Sequence, residues 1–351
     1  MDIKDITKFL SEYDGEPLSF MEVCGTHTAA ISENGIPSLL SDKIRLISGP
    51  GCPVCVTVAS YIDRLCALAL EDNTCVVTFG DLIRVPGSES ALQETKSKGG
   101  SIKMVYSPFE IIDLAKADTA TTFVFAAVGF ETTTPIYAVL LEKIIQEKID
   151  NIKLLTALKT MPVAIDSLCR MGNKIDGFIA PGHVSVITGA NEFKPLAEKY
   201  SLPFVVSGFK GEELIAAIYA LIKLKGKGTV LNLYKSAVTD NGNEKAKALV
   251  HKYFEPCNAV WRGIGEIENS GMALKKEYEK YDAGSRVLTQ DKAKNKGCKC
   301  GEIITGLKSP YDCPLFGRVC TPENPQGACM VSNEGACFHY YINNRKYEVR
   351  I

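Results

Sequence analysis

From about residue 18 to 232 the chain alternates short apolar runs with longer amphipathic stretches. Eight runs have the length and the β-branched or aromatic content of buried strands: LSFMEV, KIRLIS, CVVTFG, IKMVY, TFVFAAVGF, IKLLTAL, GFIAP and LPFVVSGF. Helical patterns lie between them, among them VTVASYIDRLCALALE, IYAVLLEKIIQEKI and GEELIAAIYALIKLK. Strand–helix alternation of this kind predicts an α/β fold with parallel sheets. Eight units fit one closed eight-fold barrel. They fit equally two smaller open sheets that meet near residues 128–135. After about residue 235 the alternation fades. GIGEIENSGMALKKEYEKYDAGSR and the cysteine-rich tail predict a third, irregular domain.

Composition narrows the class. The 351 residues are 46% hydrophobic, enough for two or three cores. A net charge of -1 gives no basic surface for nucleic acid or an anionic membrane. No run approaches the roughly 18–20 apolar residues of a membrane span. The opening MDIKDITKFLSEYDGE lacks the apolar core of a signal peptide, so a cytoplasmic protein is expected. In a reducing compartment, 13 cysteines point to ligands, reactive thiols and buried thiols rather than a disulfide framework. Cys66, Cys75 and Cys169 sit in apolar helix or strand patterns and are read as packing.

Four motifs fall where a strand gives way to a helix, the place where open α/β sheets bind ligands. In MEVCGTHTAA, Cys24 ends a strand, and the helix N-terminus favours its thiolate. His27 follows one turn later. A reactive or metal-binding Cys24 competes with a buried thiol among capping threonines. In SGPGCPVCVT, Cys52 and Cys55 form a CxxC held by glycines and prolines, the placement of thioredoxin-type redox pairs. In VGFETTTPI, Glu131 and Thr132 to Thr134 precede Pro135 at a first helical position, as a helix-start anion site or a plain cap. In IAPGHVSVITG, His183 suits proton transfer or ligand contact, or a structural hydrogen bond. Asp81 and Arg84 in TFGDLIRVPGS occupy the same kind of loop.

The tail adds Cys300, Cys313, Cys320 and Cys337, separated by 12, 6 and 16 residues in a Gly- and Pro-rich stretch. Such a segment buries little apolar surface, so a thiolate-bound metal centre is the expected brace. Four thiolates suit a 4Fe–4S cluster or zinc. The wide spacings favour the cluster, with Cys298 and Cys329 left spare.

Taken in order, Cys24-Gly25-Thr26-His27-Thr28, Gly49 to Cys55, Gly129 to Pro135, Pro181 to Ser185 and the tail spacing resemble the HypD family of hydrogenase maturation factors, over about residues 20–341. The resemblance implies two α/β domains around a cleft plus an irregular iron–sulfur domain. These are expected at 18–128, at 129–235, and at 1–17 with 236–351. It implies a monomer that pairs with the chaperone HypC to build the Fe(CN)2CO group of nickel–iron hydrogenases. HypE would supply cyanide, and the hydrogenase large subunit would receive the product through HypC. Cys24 then matches the iron-binding thiol and Cys52–Cys55 a redox dithiol. Cys300, Cys313, Cys320 and Cys337 match the ligands of a 4Fe–4S cluster. His27, His183 and Glu131 would serve the same site, with the two histidines lining the cleft. The competing reading is a cluster-dependent thiol–disulfide oxidoreductase acting on a protein substrate. A third is a binding module that zinc merely braces.

Overall fold

The computed structural model describes residues 2–172, 174–288, 290–291 and 295–348. The eight expected strands all form: β1 (Leu18–Glu22), β2 (Ile44–Ser48), β3 (Thr74–Thr78), β4 (Ile102–Met104), β5 (Thr122–Gly129), β6 (Ile152–Lys159), β7 (Gly177–Ala180) and β8 (Phe204–Val206). Three more follow: β9 (Val230–Asn232), β10 (Phe254–Trp261) and β11 (Gly265–Leu274). They build two open sheets, not a barrel. The first runs β2-β1-β7-β8-β9, parallel throughout. The second runs β10-β11-β6-β5-β3-β4. Its β3 to β6 are parallel, and the β10–β11 hairpin joins antiparallel to β6.

The expected domain limits need correction. Residue 128 lies inside β5, and the two sheets draw on interleaved segments. The chain leaves the first sheet after β2, builds β3 to β6, returns for β7 to β9, and leaves again for the hairpin. Apolar period marks a strand but carries no information on its partner, so β1 pairing β7 through Phe20 and Gly177 was not readable. The N-terminal helix Ile3–Ser11 also does not join the tail. Leu10 packs with Leu18, Phe20, Leu214 and Ile218 of the first sheet's layer.

The segment after 235 is only partly irregular. Helix Glu244–Tyr253 and the hairpin belong to the second sheet's unit. The hairpin carries no strand signature in the sequence because β10, FEPCNAVW, and β11, GEIENSGMAL, contain Pro, Gly and charged residues. Beyond it the tail is short turns and the helices Cys300–Ile304, Ala328–Val331 and Ala336–Glu348. The hairpin tip seats this tail. Gly263 (φ 73°) meets Gly301 so closely that a Cβ on Gly263 would lie 2.2 Å from the Gly301 Cα.

β5 shows why the second sheet reads as an apolar run. Both of its faces are covered, as parallel sheets require. Phe123, Phe125 and Ala127 face helices Glu110–Ala117 and Thr134–Gln146. Val124 and Ala126 face the layer that holds Cys52, Cys55 and the tail cysteines.

Candidate functional site

The C-terminal ends of β1, β3, β5 and β7 open onto one cavity of about 260 Å³. It is lined by Cys24, Asp81, Thr132, Thr133, His183 and Glu334, with Gly51 and Pro53 of the CxxC loop beside them. Four of the sequence motifs therefore meet in one place, and the tail closes the fifth side.

Cys24 is the N-cap of helix Gly25–Glu33, in extended backbone (φ -147°). The N–H groups of His27 and Thr28 donate to its carbonyl. Its own N–H donates to Glu22 Oε2 at 2.9 Å, and Thr28 Oγ1 donates to Glu22 Oε1. Burial pushes the Glu22 carboxyl up to about 7. Burial also pushes the Cys24 thiol up to about 12, outweighing the backbone N–H groups that favour the thiolate. The expectation of a helix-activated thiolate is thereby corrected: without a metal, Cys24 holds its proton at neutral pH. A metal ion reverses this by displacing the proton.

The two histidines part company. His183 lines the cavity, and burial lowers its pKa. His27 is fully buried behind it, with Nε2 3.3 Å from Ser207 O and 3.1 Å from Gly208 O. Both contacts are carbonyls, so Nε2 carries the proton and Nδ1 is left without a partner. Desolvation lowers His27 to about 4. Phe209 lies between the rings, with centroids 4.7 Å from His27 and 4.2 Å from His183. His27 thus supports the wall through Phe209 instead of lining it.

Glu131 also faces elsewhere. Its Oε1 accepts the Met161 N–H at 2.8 Å and so caps the start of helix Met161–Arg170, while Oε2 has no partner. It lines a separate cavity of about 280 Å³ with Thr160, Glu192 and His251. Burial raises its carboxyl to about 7. Thr134 Oγ1 caps back to Phe130 O at 2.9 Å, leaving Thr132 and Thr133 to face the Cys24 cavity. Arg84 donates to Pro322 O at 3.1 Å and ties its loop to the tail.

Cys52 and Cys55 lie one loop from Cys24 but point into the apolar layer. The Cys55 N–H donates to Cys52 Sγ at 3.2 Å, and Cys52 Sγ donates to Ser332 Oγ at 3.3 Å. Burial first, then hydrogen bonds to Cys329 and Cys52, pushes the Cys55 thiol well above its usual value.

In the tail, the sulfurs of Cys300, Cys329 and Cys337 all lie within 4.8 Å of one another. This differs from the expected set. Cys329, read as spare, takes a place in the group, while Cys313 and Cys320 lie in the same packed layer outside that triad. Sequence spacing could not rank Cys329, since the fold and not the interval brings it beside Cys337. Cys298 Sγ stands 3.3 Å from Cys300 Sγ. A Cβ on Gly327 would fall 2.7 Å from Cys300 Sγ and 2.8 Å from Cys298 Sγ, so only glycine lets the backbone pass. A buried, all-sulfur donor set fits a thiophilic centre such as an iron–sulfur cluster or zinc.

Glu334 and Phe209 carried no motif. Glu334 is brought in by the tail, and a Cβ on Gly25 would lie 2.3 Å from Glu334 Cβ. That contact is the physical reason for glycine after Cys24. Burial raises the Glu334 carboxyl, and Thr26 Oγ1 stands 3.4 Å from it.

Two open α/β sheets with a tail whose clustered cysteines could hold a metal define the class as a candidate metal-binding protein. The family model HypD, described as "Hydrogenase formation hypA family", matches residues 2–344. The chain is 42% identical over 339 residues to the hydrogenase maturation factor HypD of Rhizobium leguminosarum bv. viciae, covering 93% of this chain and 88% of that protein. It is 39% identical over 344 residues to the HypD of Cupriavidus necator, covering 94% and 91%. To the HypD of Rhodobacter capsulatus it is 36% identical over 339 residues, covering 93% and 89%. The chain belongs to the HypD family of hydrogenase maturation factors. Among the described residues, no helix is long and apolar enough to cross a membrane.

Proposed function

We propose that this chain is the scaffold on which, with the chaperone HypC, the iron of nickel–iron hydrogenase acquires two cyanides and one carbon monoxide. The iron is cargo, and Cys24 is its ligand on this chain, shared with the N-terminal cysteine of HypC. One observation carries the reading: Cys24 is the thiol that opens onto the cavity where four strand-end loops meet. Asp81 and Glu334 line the same cavity and favour entry of a cation. His183 and the hydroxyls of Thr132 and Thr133 are placed to hydrogen-bond polar iron ligands such as cyanide nitrogen. HypE would deliver the cyanide, and HypC would carry the finished group to the hydrogenase large subunit.

Cys52 and Cys55 form a dithiol that releases two electrons and two protons on closing to a disulfide. Cys300 and Cys337, with two of Cys313, Cys320 and Cys329, would hold a 4Fe–4S cluster, which supplies single electrons when bound. The alternative, an oxidoreductase acting on a protein disulfide, is weakened by exposures of only 4% and 3% at Cys52 and Cys55. A protein substrate needs an exposed nucleophile.

The test is anaerobic co-purification with HypC, followed by iron and acid-labile sulfide analysis and infrared spectroscopy. The wild type should show metal cyanide and carbonyl bands with iron in excess of the cluster. Cys24→Ala should lose the bands and the excess iron while keeping the sulfide. Bands retained in Cys24→Ala would sink the assignment.

A further inference from the structure

The Cys24 cavity takes up the C-terminal ends of β1, β3, β5 and β7. The end of β6 opens onto a different cavity, of about 240 Å³. Lys159 is the last residue of β6, lines this cavity and is only 4% exposed. Its Nζ donates to Val260 O at 2.7 Å and stands 5.3 Å from the centre of the Trp261 ring. An ammonium carries three N–H donors, so one carbonyl and one ring leave it short of partners. Among the described residues Lys159 forms no ion pair. Asp291 acts on it from beyond ion-pair distance and is itself paired with Arg262 at 3.7 Å. A lone buried charge is costly, and burial accordingly lowers Lys159 to about 8. Packing alone does not account for it, since a methionine would fill the same space without a charge.

The rest of the lining says which anion fits. Val58, Leu158, Ala259 and Met272 make the walls largely apolar. Arg286 also lines the cavity, but Glu255 Oε1 already neutralises it at 2.6 Å. Glu266 is exposed and lines the cavity as well. One positive charge is thus left over. Facing it, the pairing of β10 with β11 slips between Cys257 and Ala259, a bulge of the kind that re-aims side chains beside binding sites. We propose that this cavity binds a small monocarboxylate, with its oxygens on Lys159 Nζ and its carbon chain against the apolar walls. The single unmatched cation calls for a monoanion, and the walls call for carbon. A dianion such as phosphate would keep one charge unmatched near Glu266. The end of a parallel strand in an open α/β sheet is where such a ligand belongs.

The test uses the full-length protein at constant ionic strength, with sodium propionate as the probe and sodium phosphate and sodium chloride as competitors. Saturation-transfer NMR reads the propionate methyl, and a titration gives the affinity. The wild type should show saturable transfer that neither competitor displaces at equal concentration. Lys159→Met keeps the volume and removes the charge. It should weaken propionate about tenfold or more, the worth of a hydrogen bond to a charged group. The wild type at pH 7 and pH 9 covers the case of Lys159→Met failing to fold. With Lys159 at about 8, the higher pH removes its proton, and the affinity should fall about tenfold. Arg286, Asp291 and Glu266 bring fixed charges to its surroundings, and burial raises Cys257 and Tyr61, so neither ionises before Lys159. No transfer from propionate in the wild type overturns the site. So does an affinity unchanged in Lys159→Met, or one unchanged from pH 7 to pH 9. Displacement of propionate by an equal concentration of phosphate overturns the monocarboxylate assignment.

Discussion

Cys24 and Cys337 are nearly equally buried, at 7% and 5% exposure, yet their surroundings differ in kind. Cys24 looks across a cavity at Asp81, Glu334, His183 and threonine hydroxyls. Cys337 lies in the apolar cluster that holds Val58, Ala328 and Met330, with the sulfurs of Cys300 and Cys329 within 4.8 Å. Burial alone therefore does not tell what a thiol does. A thiol facing charged and hydrogen-bonding groups across a cavity suits polar cargo that arrives and leaves. A thiol facing other sulfurs in an apolar layer suits a resident centre, where low dielectric and excluded water protect the metal.

Two glycines offer the strongest way to break this contrast. Gly327→Ala puts a methyl 2.7 Å and 2.8 Å from two tail sulfurs. It should remove most acid-labile sulfide while disturbing the Cys24 corner less. Gly25→Ala puts a methyl 2.3 Å from Glu334 Cβ. Overpacking of that sort costs about 1–3 kcal/mol. It should push Glu334 and the tail away from the cavity, weaken the cyanide and carbonyl bands, and spare the sulfide. Sulfide analysis beside infrared spectra reads both. Equal losses in the two variants would mean that the regions form one cooperative metal site, and the contrast would collapse.

The pH response sharpens the comparison with a smaller effect. His27 titrates at about 4 in the folded chain against an ordinary 6.5. Between those values the unfolded chain binds more protons, so the contribution of His27 is complete above 6.5 and is lost as pH falls towards 4. In the tail, burial pushes the Cys320 thiol up to about 11 but lowers His339 in the same direction as His27. Buried histidines in both regions thus contribute acid sensitivity, and a substitution isolates the share of His27. His27→Asn should have a lower melting temperature at pH 7 and a shallower decline on acidification from pH 6.5 to 4. An unchanged slope in thermal scans across that range would remove His27 as its source.

The strands were legible in the sequence because both faces of β5 and β6 are buried and enriched in apolar residues. The site loops were legible because each follows such a strand with glycine and a polar residue. The pairing of β1 with β7 was not, since it depends on contacts between distant segments. The same reason hid Phe209 and Glu334, which act through what they touch and stand in no motif of their own. Cys24, His27 and Glu131 look alike as polar residues at strand ends. Only the structure sends the first into the cavity, the second behind its wall and the third into another pocket.

The same logic predicts a cysteine whose loss does almost nothing to the chemistry. Cys75 lies on β3 and packs with Phe123, Ile111 and Tyr137, on the face of the second sheet opposite the dithiol. Alternation along β3 puts Val76 on the dithiol side and Cys75 on the helix side. Its sulfur then acts as a small hydrophobe, and Cys75→Ala removes one buried atom. The cost should be about 1 kcal/mol, seen as a drop of a few degrees in melting temperature. Iron, sulfide and the readiness of Cys52 and Cys55 to close to a disulfide should match the wild type. A change in any of them would mean that the sheet transmits packing strain from its helix face to the thiol layer. The division of labour between the two faces would then have to be abandoned.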